Sequence, residues 1–322
     1  MTNILNKIIK GDKTIIYLVI ALLLISSFIM ASALNSLSIK ENNFSFYYLF
    51  KQLIFASVAF ITMILVSQIP YQIFSKISKP LFLFLVVLLL FTVFFGKSIN
   101  GSRRWLEIPF IGLTIQTSDF VRIGLVIYIA HIMSKYNPIR GDFNDMLKKV
   151  LLWGTPVALI IAKTDYSTAI LTIVLILTML FFSPIKFKGY VKKAGIVTII
   201  VVSLFILSMI FGFGKGDTAK GRIDGKTAIY DQEVQCKIAI SKAPIIPKPG
   251  SSTQKYLLAN SYSDFAFAIG VEEYGFLGAF LIIVLYLVLL KRILLIVKNQ
   301  KRTFPMYLSL GLSMNILSQA FM

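Results

Sequence analysis

Long apolar runs separated by short polar stretches dominate the chain. Several come close to or reach the roughly 20 residues that an α-helix needs to cross a bilayer. The pattern therefore predicts an all-α polytopic membrane protein with about nine transmembrane helices. The predicted helices cover approximately residues 14–34, 48–68, 77–96, 118–134, 148–163, 166–184, 195–213, 265–290 and 304–322.

Three of these predicted helices have an alternative interpretation. The run 14–34 resembles a signal peptide, but it exceeds the usual apolar core of about 7–15 residues and further runs follow directly. We therefore predict a first transmembrane helix there. The run 148–163 meets the run 166–184 through the short stretch Lys163, Thr164 and Asp165, so these two runs form a hairpin or one of them is shorter and partly re-entrant.

Composition supports the membrane prediction. The chain is 57% hydrophobic and 15% charged, with a mean hydropathy of +0.81, whereas soluble domains are about 45–50% apolar and about 25% charged. One cysteine and one histidine argue against a Cys/His metal site. The net charge of +19 suits anionic lipid head groups or a phosphorylated substrate. Nucleic acid is a poor partner because no compact basic soluble domain exists to bind it.

Basic residues predict the orientation, because cytoplasmic loops are enriched in Lys and Arg. With the N-terminus in the cytoplasm, every predicted inner loop is basic. Two predicted outer segments, 96–117 and the large extracytoplasmic loop 214–260 between the seventh and eighth helices, are basic as well. Topology does not require cations there. An external anionic ligand is one explanation, and simple solvation of the loops is the other.

The stretch SYSDFAFAIGVEEYGFLG, residues 261–278, places acidic residues where the outer loop meets an apolar run. Asp264, Glu272 and Glu273 are three of only 14 acidic residues in the chain. A carboxylate at the mouth of a membrane helix, with others beneath it, is by default a hypothesis for a functional site. The alternative is that Ser263 or Asp264 merely caps the helix. Position alone leaves both open.

Further polar clusters lie at predicted outer helix ends. The guanidinium of Arg104 suits phosphate oxygens, and Trp105 suits the interfacial belt of a membrane protein. Asp165 with Thr168 forms a third cluster, which is either functional or only the turn of the hairpin. Further donors in the outer loop come from Arg222, Gln254 and Lys255.

The sequence QTSD, residues 116–119, opens the fourth predicted helix. Asp119 and Arg122 share a helix face at i and i+3, and from spacing alone they form either a structural ion pair or a ligand-facing pair. Thr117 or Ser118 is a candidate N-cap, which would also explain the neighbouring Gln116.

Several segments resemble the FtsW/RodA/SpoVE (SEDS) glycosyltransferase family. NGSRRWLEIPFIGLTIQTSDFVRIGLVIYIA is similar to its Gly-x-x-Arg-Trp and Gln-Pro-Ser-Glu-x-x-Lys signatures, and TDYSTAILT to its Pro-Asp-Leu-Gly-Thr-Ala segment. QEVQCKIAI resembles its Tyr-Gln…Ala-Ile stretch. PGSSTQKYLLANSYSDFAFAIGVEEYGFLGA resembles the Pro-Gly-x-x-x-Gln, Asp-Phe and Glu-Glu-x-Gly-Phe motifs that follow it. The match follows the order of the family motifs along essentially the whole chain. The QTSD variant most resembles the division-type FtsW of Bacteroidetes.

The resemblance implies polymerisation of lipid II into peptidoglycan strands at the outer face of the bacterial cytoplasmic membrane. Asp264 matches the essential loop aspartate, which implies a general base on the acceptor 4-hydroxyl and undecaprenyl pyrophosphate as leaving group. Mg²⁺ or Mn²⁺ could accompany the pyrophosphate near Asp264 or Asp119, although no pattern identifies a metal site. Glu272 and Glu273 are expected to give buried support and to pair with Arg122. The pyrophosphate-binding candidates are Arg104, Arg122, Arg222, Gln254 and Lys255, with support from Trp105, Gln116, Ser118, Asp119, Asp165 and Thr168.

The implied partners are lipid II and undecaprenyl-linked glycan, a class B penicillin-binding protein, and other divisome membrane proteins. The chain departs from the family at Ala259, where proline is usual. It also ends inside the ninth predicted helix, whereas members of the family have ten helices. Two other functions stay open. A flippase for the lipid-linked precursor would need ionisable groups near the bilayer midplane. A non-catalytic scaffold for division proteins would need none.

Overall fold

The computed structural model describes residues 11–40, 47–99, 102–107, 114–136, 143–182, 228–257 and 265–320. These residues form ten helices and one small sheet. The predicted helix at 195–213 lies outside the described residues. In chain order the elements are α1 (Lys13–Lys40), α2 (Tyr47–Gln68), α3 (Tyr71–Phe95), β1 (Lys97–Ile99), β2 (Ser102–Glu107), β3 (Thr114–Gln116), α4 (Thr117–Lys135), α5 (Phe143–Ala162), α6 (Tyr166–Phe181), α7 (Ala228–Ser241), α8 (Gln254–Leu257), α9 (Ala266–Asn299) and α10 (Thr303–Ala320).

Among the described residues, α1, α2, α3 and α9 are long and apolar enough to cross a membrane, and α6 is apolar but shorter. Helices α4, α5 and α10 coincide with the predicted runs 118–134, 148–163 and 304–322. The prediction of a helical, multi-pass membrane protein is therefore confirmed.

Several helices extend beyond the apolar runs that predicted them. Helix α3 begins at Tyr71 instead of residue 77, and α9 continues to Asn299 instead of ending at residue 290. The added turns carry polar residues such as Gln72, Lys291 and Lys298. Hydropathy marks only the apolar middle of a membrane helix, whereas backbone hydrogen bonding continues into the polar boundary.

The chain divides into two compact units. The first combines Met1–Pro70 with Gly221–Arg292, and the second combines Tyr71–Lys220 with Ile293–Met322. In the first unit α1 packs on α2, and α8 contacts both α1 and α7. In the second unit α4 packs against α3 and α10, while α5 packs against α6.

Helix α4 is the centre of the second unit. Most of its side chains are buried, which is expected of a helix that is surrounded by others rather than lying at the surface. Tyr128 stacks on Phe82 of α3 with ring centroids 5.0 Å apart, and Trp153 of α5 meets both rings edge-on. Gly311 lets α10 approach closely, since a Cβ there would lie 2.6 Å from Val126 of α4.

In the first unit, α1 and α9 run antiparallel and meet at both ends. Asp12, just before α1, bonds Arg292 near the end of α9 at 2.7 Å, and Ser32 donates to Glu273 near the start of α9. Burial alone would raise the pKa of Asp12, but hydrogen bonds from Arg292 and Thr14 outweigh it and hold the pKa below its usual value. The pairing of Asp12 with Arg292 agrees with the predicted placement of both residues on the cytoplasmic side.

An antiparallel sheet in the order β1-β2-β3 connects α3 to α4. The predicted all-α class did not include this sheet. Trp105 is the register partner of Gln116 across β2 and β3. Two residues predicted to support the site are thus neighbours on adjacent strands.

The predicted outer loop 214–260 is partly helical where it is described. It contains α7 and the short α8. The apolar run that follows is bent, because Gly275 inside α9 has a non-helical backbone with φ of +71° and ψ of −171°.

Candidate functional site

The principal sequence candidate, Asp264, lies outside the described residues, as do Ser263 and Arg222. The structure describes what flanks Asp264: α8 ends at Leu257 and α9 begins at Ala266. Seven residues of sequence, 258–264, connect the described parts. The remaining candidates fall into groups, each of which belongs to one unit.

In the second unit, Arg104 of β2 and Asp165 before α6 form an ion pair, with Nη1 of the arginine 2.5 Å from Oδ2 of the aspartate. The side chains are 28% and 13% exposed, respectively. The sheet therefore brings together two candidates that are 61 residues apart in sequence. The Nε atom of Arg104 is buried and has no hydrogen-bond partner among the described residues, so a donor is left over.

Asp165 also caps α6. Its Oδ1 accepts hydrogen bonds from the amides of Ser167 and Thr168, at 3.1 and 3.3 Å. Asp at an N-cap satisfies amides that the first helical turn leaves without partners. The structure thus gives Asp165 a capping role and an ion pair at once, so it is more than the turn of a hairpin.

A second group lies between α4 and α10. Arg122 is 1% exposed, and its Nη2 donates to Oγ of Ser318 at 3.1 Å. One turn earlier on α4, Asp119 accepts a hydrogen bond from Gln319 at 3.4 Å. The hydrogen bonds of both charged residues thus go to α10, and the structure shows no direct ion pair between Asp119 and Arg122 among the described residues.

The predicted N-cap of α4 is wrong. Gln116 occupies the capping position, and its side chain makes no capping hydrogen bond. Thr117 and Ser118 lie in the first turn and are buried. The side-chain amide of Gln116 instead donates to Oγ of Ser118 at 3.1 Å. Because β3 leads directly into α4, the helix begins one or two residues earlier than the capping preference of Thr and Ser predicts.

In the first unit, the buried Glu272 of α9 binds the segment before α8. Its Oε1 accepts from the amide and hydroxyl of Thr253 at 3.1 and 3.2 Å. Its Oε2 accepts from the amide of Gln254 at 3.4 Å and from the hydroxyl of Ser252. The carboxylate is therefore supplied with donors from a single short stretch of chain.

Next to it, Glu273 forms a buried ion pair with Lys255, with 3.5 Å between Oε1 and Nζ and side chains that are 1% and 3% exposed. Ser32 of α1 donates to Glu273 and accepts from Lys255 at 3.2 Å. Lys255 also donates to the carbonyl of Gly250 at 3.0 Å. The lysine ammonium is thus fully engaged inside the protein.

These contacts bear on two expectations. The hydrogen-bond and ion-pair partners of Glu272 and Glu273 lie in the first unit, whereas Arg122 belongs to the second, so the expected pairing with Arg122 stays a prediction. Lys255 is buried against Glu273, so as a cation for pyrophosphate it would first have to leave its carboxylate. Gln254 is also buried. Sequence alone reveals the charge of a side chain but not whether that charge is already neutralised.

Several buried polar atoms lack hydrogen-bond partners among the described residues. In the second unit they are Nε of Arg104, Oγ1 of Thr117, Nε of Arg122 and Oδ1 of Asn315. Buried polar atoms are nearly always paired, so such exceptions call for an explanation. Three of the four belong to α4 and α10, the helices that the Arg122–Ser318 contact joins, and polar ligand atoms would supply the missing partners.

The described residues include no group of three or more His, Cys, Asp or Glu side chains that could hold a metal ion. Asp119, named with Asp264 as a possible contact for a divalent cation, is engaged by Gln319. The described part of the chain therefore does not fit a metal site.

Sequence reasoning missed five polar partners in the site: Ser32, Ser252, Thr253, Ser318 and Gln319. Three polar residues of the apolar α10, Asn315, Ser318 and Gln319, recur at i, i+3 and i+4. This spacing marks a polar helix face and could have revealed the partner of α4. Ser32 gives no comparable signal, because it lies among small residues in an apolar run.

The sequence model of the FTSW_RODA_SPOVE family, described as cell cycle protein, matches residues 13–322. A protein of Coxiella burnetii named probable peptidoglycan glycosyltransferase FtsW is 26% identical over 321 residues, covering 94% of this chain and 83% of its own length. The protein of the same name from Wigglesworthia glossinidia brevipalpis is 28% identical over 331 residues, covering 98% and 84%.

Two solved structures share the fold. The crystal structure of the rod shape determining protein RodA from Thermus thermophilus superposes with a TM-score of 0.67 at 16% identity, covering 97% of this chain and 84% of RodA. A chain from a peptidoglycan synthase complex that coordinates polymerization and crosslinking superposes with a TM-score of 0.70 at 18% identity, covering 97% and 85%.

Proposed function

The chain belongs to the FtsW/RodA/SpoVE family of cell cycle proteins, and on that premise we propose that it is a peptidoglycan glycosyltransferase that polymerises lipid II. The observation that carries the proposal is the family match over residues 13–322. Relatives named as probable peptidoglycan glycosyltransferases, which align with nearly all of this chain, support it.

Asp264 is the proposed general base. Its carboxylate takes the proton from the 4-hydroxyl of the acceptor sugar while that oxygen attacks the anomeric carbon of the lipid-linked donor. The carbon inverts, the bond to the pyrophosphate oxygen breaks, and undecaprenyl pyrophosphate leaves. A positioned general base contributes about 10²–10⁴-fold to such a step. The position of Asp264, between a basic outer loop and an apolar helix, supports the assignment.

The departing pyrophosphate needs positive charge. Preorganised donors in a water-poor site stabilise developing charge far better than solvent does. Arg104 and Arg122 each keep a buried Nε–H without a partner among the described residues, which supports their assignment as pyrophosphate ligands. Arg222 is retained as a third candidate from its place in the basic outer loop.

We place the reaction on the outer face of the bacterial cytoplasmic membrane, during cell division. The basic inner loops and the relatives named FtsW support this placement. The likeness to a chain of a synthase complex that joins polymerization to crosslinking supports a class B penicillin-binding protein as partner. Other divisome membrane proteins are proposed on the same ground.

The test is to reconstitute the full chain with labelled lipid II and its cognate transpeptidase. Asp264→Asn keeps the shape of the side chain and removes its basicity, so we expect polymer formation to fall by at least about 100-fold. The matched control is Glu107→Gln, an exposed acid that pairs with Lys97 at 2.9 Å on the sheet. It should leave polymer formation unchanged.

Three outcomes would contradict the proposal. Equal polymer from Asp264→Asn and wild type would exclude Asp264 as the base. Fluorescent lipid II that crosses a proteoliposome membrane without being polymerised would instead support transport. No polymer from wild type, together with retained binding to the transpeptidase, would support a scaffold.

A further inference from the structure

We propose that Glu272 and Glu273 are positioning residues for the glycosyl transfer, because they hold residues 248–255 of the outer loop against α1 and α9. We call this group, made of Glu272, Glu273, Lys255, Ser252 and Ser32, the carboxylate clasp. The inference rests on the proposed function. It identifies the residues that fix the chain on both sides of the segment carrying Asp264.

The first half of the clasp is Glu272. This side chain is 5% exposed, and its two oxygens accept from two amides and two hydroxyls of Ser252, Thr253 and Gln254. A buried carboxylate is tolerated only when its hydrogen-bonding capacity is well used. These donors come from consecutive residues, so Glu272 fixes the local backbone shape of the loop where α8 begins.

The second half is the ion pair of Glu273 with Lys255. A buried ion pair often contributes little net stability, because desolvation of the two charges offsets their attraction. Its proposed role in this chain is to select one arrangement, since any other leaves a charge buried alone. Ser32 joins both charged groups, so the selected arrangement also ties α8 to α1.

The bend in α9 adds a backbone contact to the clasp. The carbonyl of Glu273 accepts from the amide of Lys248 at 2.7 Å. Two residues further on, a Cβ at Gly275 would lie 2.0 Å from the carbonyl oxygen of Pro244. The loop backbone therefore lies directly against the bent helix, and side-chain and main-chain contacts act on the same stretch of loop.

The clasp lies directly beside the proposed catalytic segment in sequence. Residues 258–264 follow α8, which Lys255 fixes, and precede α9, which carries Glu272 and Glu273. Fixing both ends of a connecting segment removes much of its conformational freedom. Displacement of a catalytic group by about 1 Å can cost about 100-fold in rate, so the clasp is expected to act on the catalytic constant.

The same residues allow a competing role, in which Lys255 itself binds the leaving pyrophosphate. The two roles predict opposite behaviour of one double variant. If Lys255 serves only Glu273, removing both charges by Lys255→Met with Glu273→Gln leaves no unpaired charge and restores activity. If Lys255 binds pyrophosphate, the double variant stays as inactive as Lys255→Met.

The kinetic experiment measures kcat and KM for lipid II with the full chain in proteoliposomes. We expect Glu273→Gln and Lys255→Met each to lower kcat by about 100-fold with KM within about twofold of wild type. The double variant should recover to within about tenfold of wild type. The control is Lys97→Met with Glu107→Gln, which removes an exposed pair and should change neither constant. A double variant without recovery would overturn the positioning role.

A second experiment does not need activity. Amide hydrogen exchange of the peptide 248–257 should rise by at least about tenfold in Glu272→Ala, because the Thr253 and Gln254 amides lose their acceptor. Glu272→Gln keeps one acceptor oxygen and should restore part of the protection. Exchange in α4 should not change. Unaltered exchange of the 248–257 peptide in Glu272→Ala would overturn the clasp.

The two proposals fail in different ways. Wild type that forms no polymer contradicts the proposed function. Active wild type with unchanged kcat in Glu273→Gln contradicts only the positioning role.

Discussion

Gly275 shows how one residue shapes the first part of a membrane helix. Its backbone, with φ of +71° and ψ of −171°, lies in a region that is essentially confined to glycine. A side chain would also meet the carbonyl of Pro244, since a Cβ would lie 2.0 Å from that oxygen. Backbone conformation and space therefore both require glycine here, and the bend that results makes room for the backbone at Pro244.

We predict that Gly275→Ala lowers the free energy of unfolding by about 1–3 kcal/mol from backbone strain alone, with a further loss from the clash. Gly250→Ala is the matched control, because Gly250 also has a positive φ, of +82°, but open space around its Cβ position. Thermal unfolding in detergent measures both. Equal destabilisation by the two substitutions would contradict a role for the Pro244 contact.

At the scale of elements, β2 and α6 are joined by one aspartate with two tasks. Oδ1 of Asp165 caps the helix, and Oδ2 binds Arg104 of the sheet. The cap sets where α6 begins. The ion pair sets where that beginning lies relative to the β2 strand.

Two substitutions separate these tasks. Asp165→Asn keeps an oxygen for the Ser167 and Thr168 amides but loses the ion pair, and Asp165→Ala loses both. We expect Asp165→Ala to be less stable than Asp165→Asn by about 1 kcal/mol, the usual value of an N-cap. The measurement is the free energy of unfolding of Asp165→Asn, Asp165→Ala and Arg104→Gln, each compared with wild type. Similar stability of the Asn and Ala variants would show that the cap contributes nothing.

The helices could be predicted from sequence because their signal is local. The apolar run 14–34 alone indicates α1, and 166–184 indicates α6. The small sheet could not be predicted, because β2 carries Arg103, Arg104 and Trp105 together and lacks the alternation of polar and apolar residues that marks a strand. Its strands depend on pairing with each other, which is not a local property.

Only the local features of the candidate site could be predicted from sequence. Spacing showed that Asp119 and Arg122 share a face, but their hydrogen-bond partners, Gln319 and Ser318, lie about 200 residues away on α10. Lys255 was correctly identified as a cation in a basic loop, yet its burial against Glu273 depends on how α8 meets α9. Contacts between elements that are distant in sequence can be identified only once the folded structure is known.

At the scale of the whole molecule, orientation in the membrane governs the proposed chemistry. The predicted inner loops are basic, and the loop containing α7 is predicted to lie outside. The chain carries a single cysteine, Cys236 of α7, which is partly exposed. One natural residue can therefore report on which side of the membrane this loop lies.

We predict that a membrane-impermeant maleimide labels Cys236 in intact cells, because the loop faces outward under the basic-loop rule. The control is Cys236→Ser with Gln300→Cys, which moves the thiol to a predicted cytoplasmic position and should be labelled only after permeabilisation. Labelling of Gln300→Cys alone in intact cells would reverse the orientation and place the proposed chemistry on the wrong face.

The two contacts at opposite ends of α1 have a consequence for the lipid around it. Asp12 bonds Arg292 and Ser32 bonds Glu273. Ser32 lies 20 residues after Asp12, which corresponds to about 30 Å of helix at 1.5 Å per residue. That is the thickness of a typical hydrocarbon core. Because α1 and α9 are fastened at both ends, neither can slide along the other to suit a thinner bilayer. The pair therefore has to tilt as one body, or the surrounding lipid has to deform to match it.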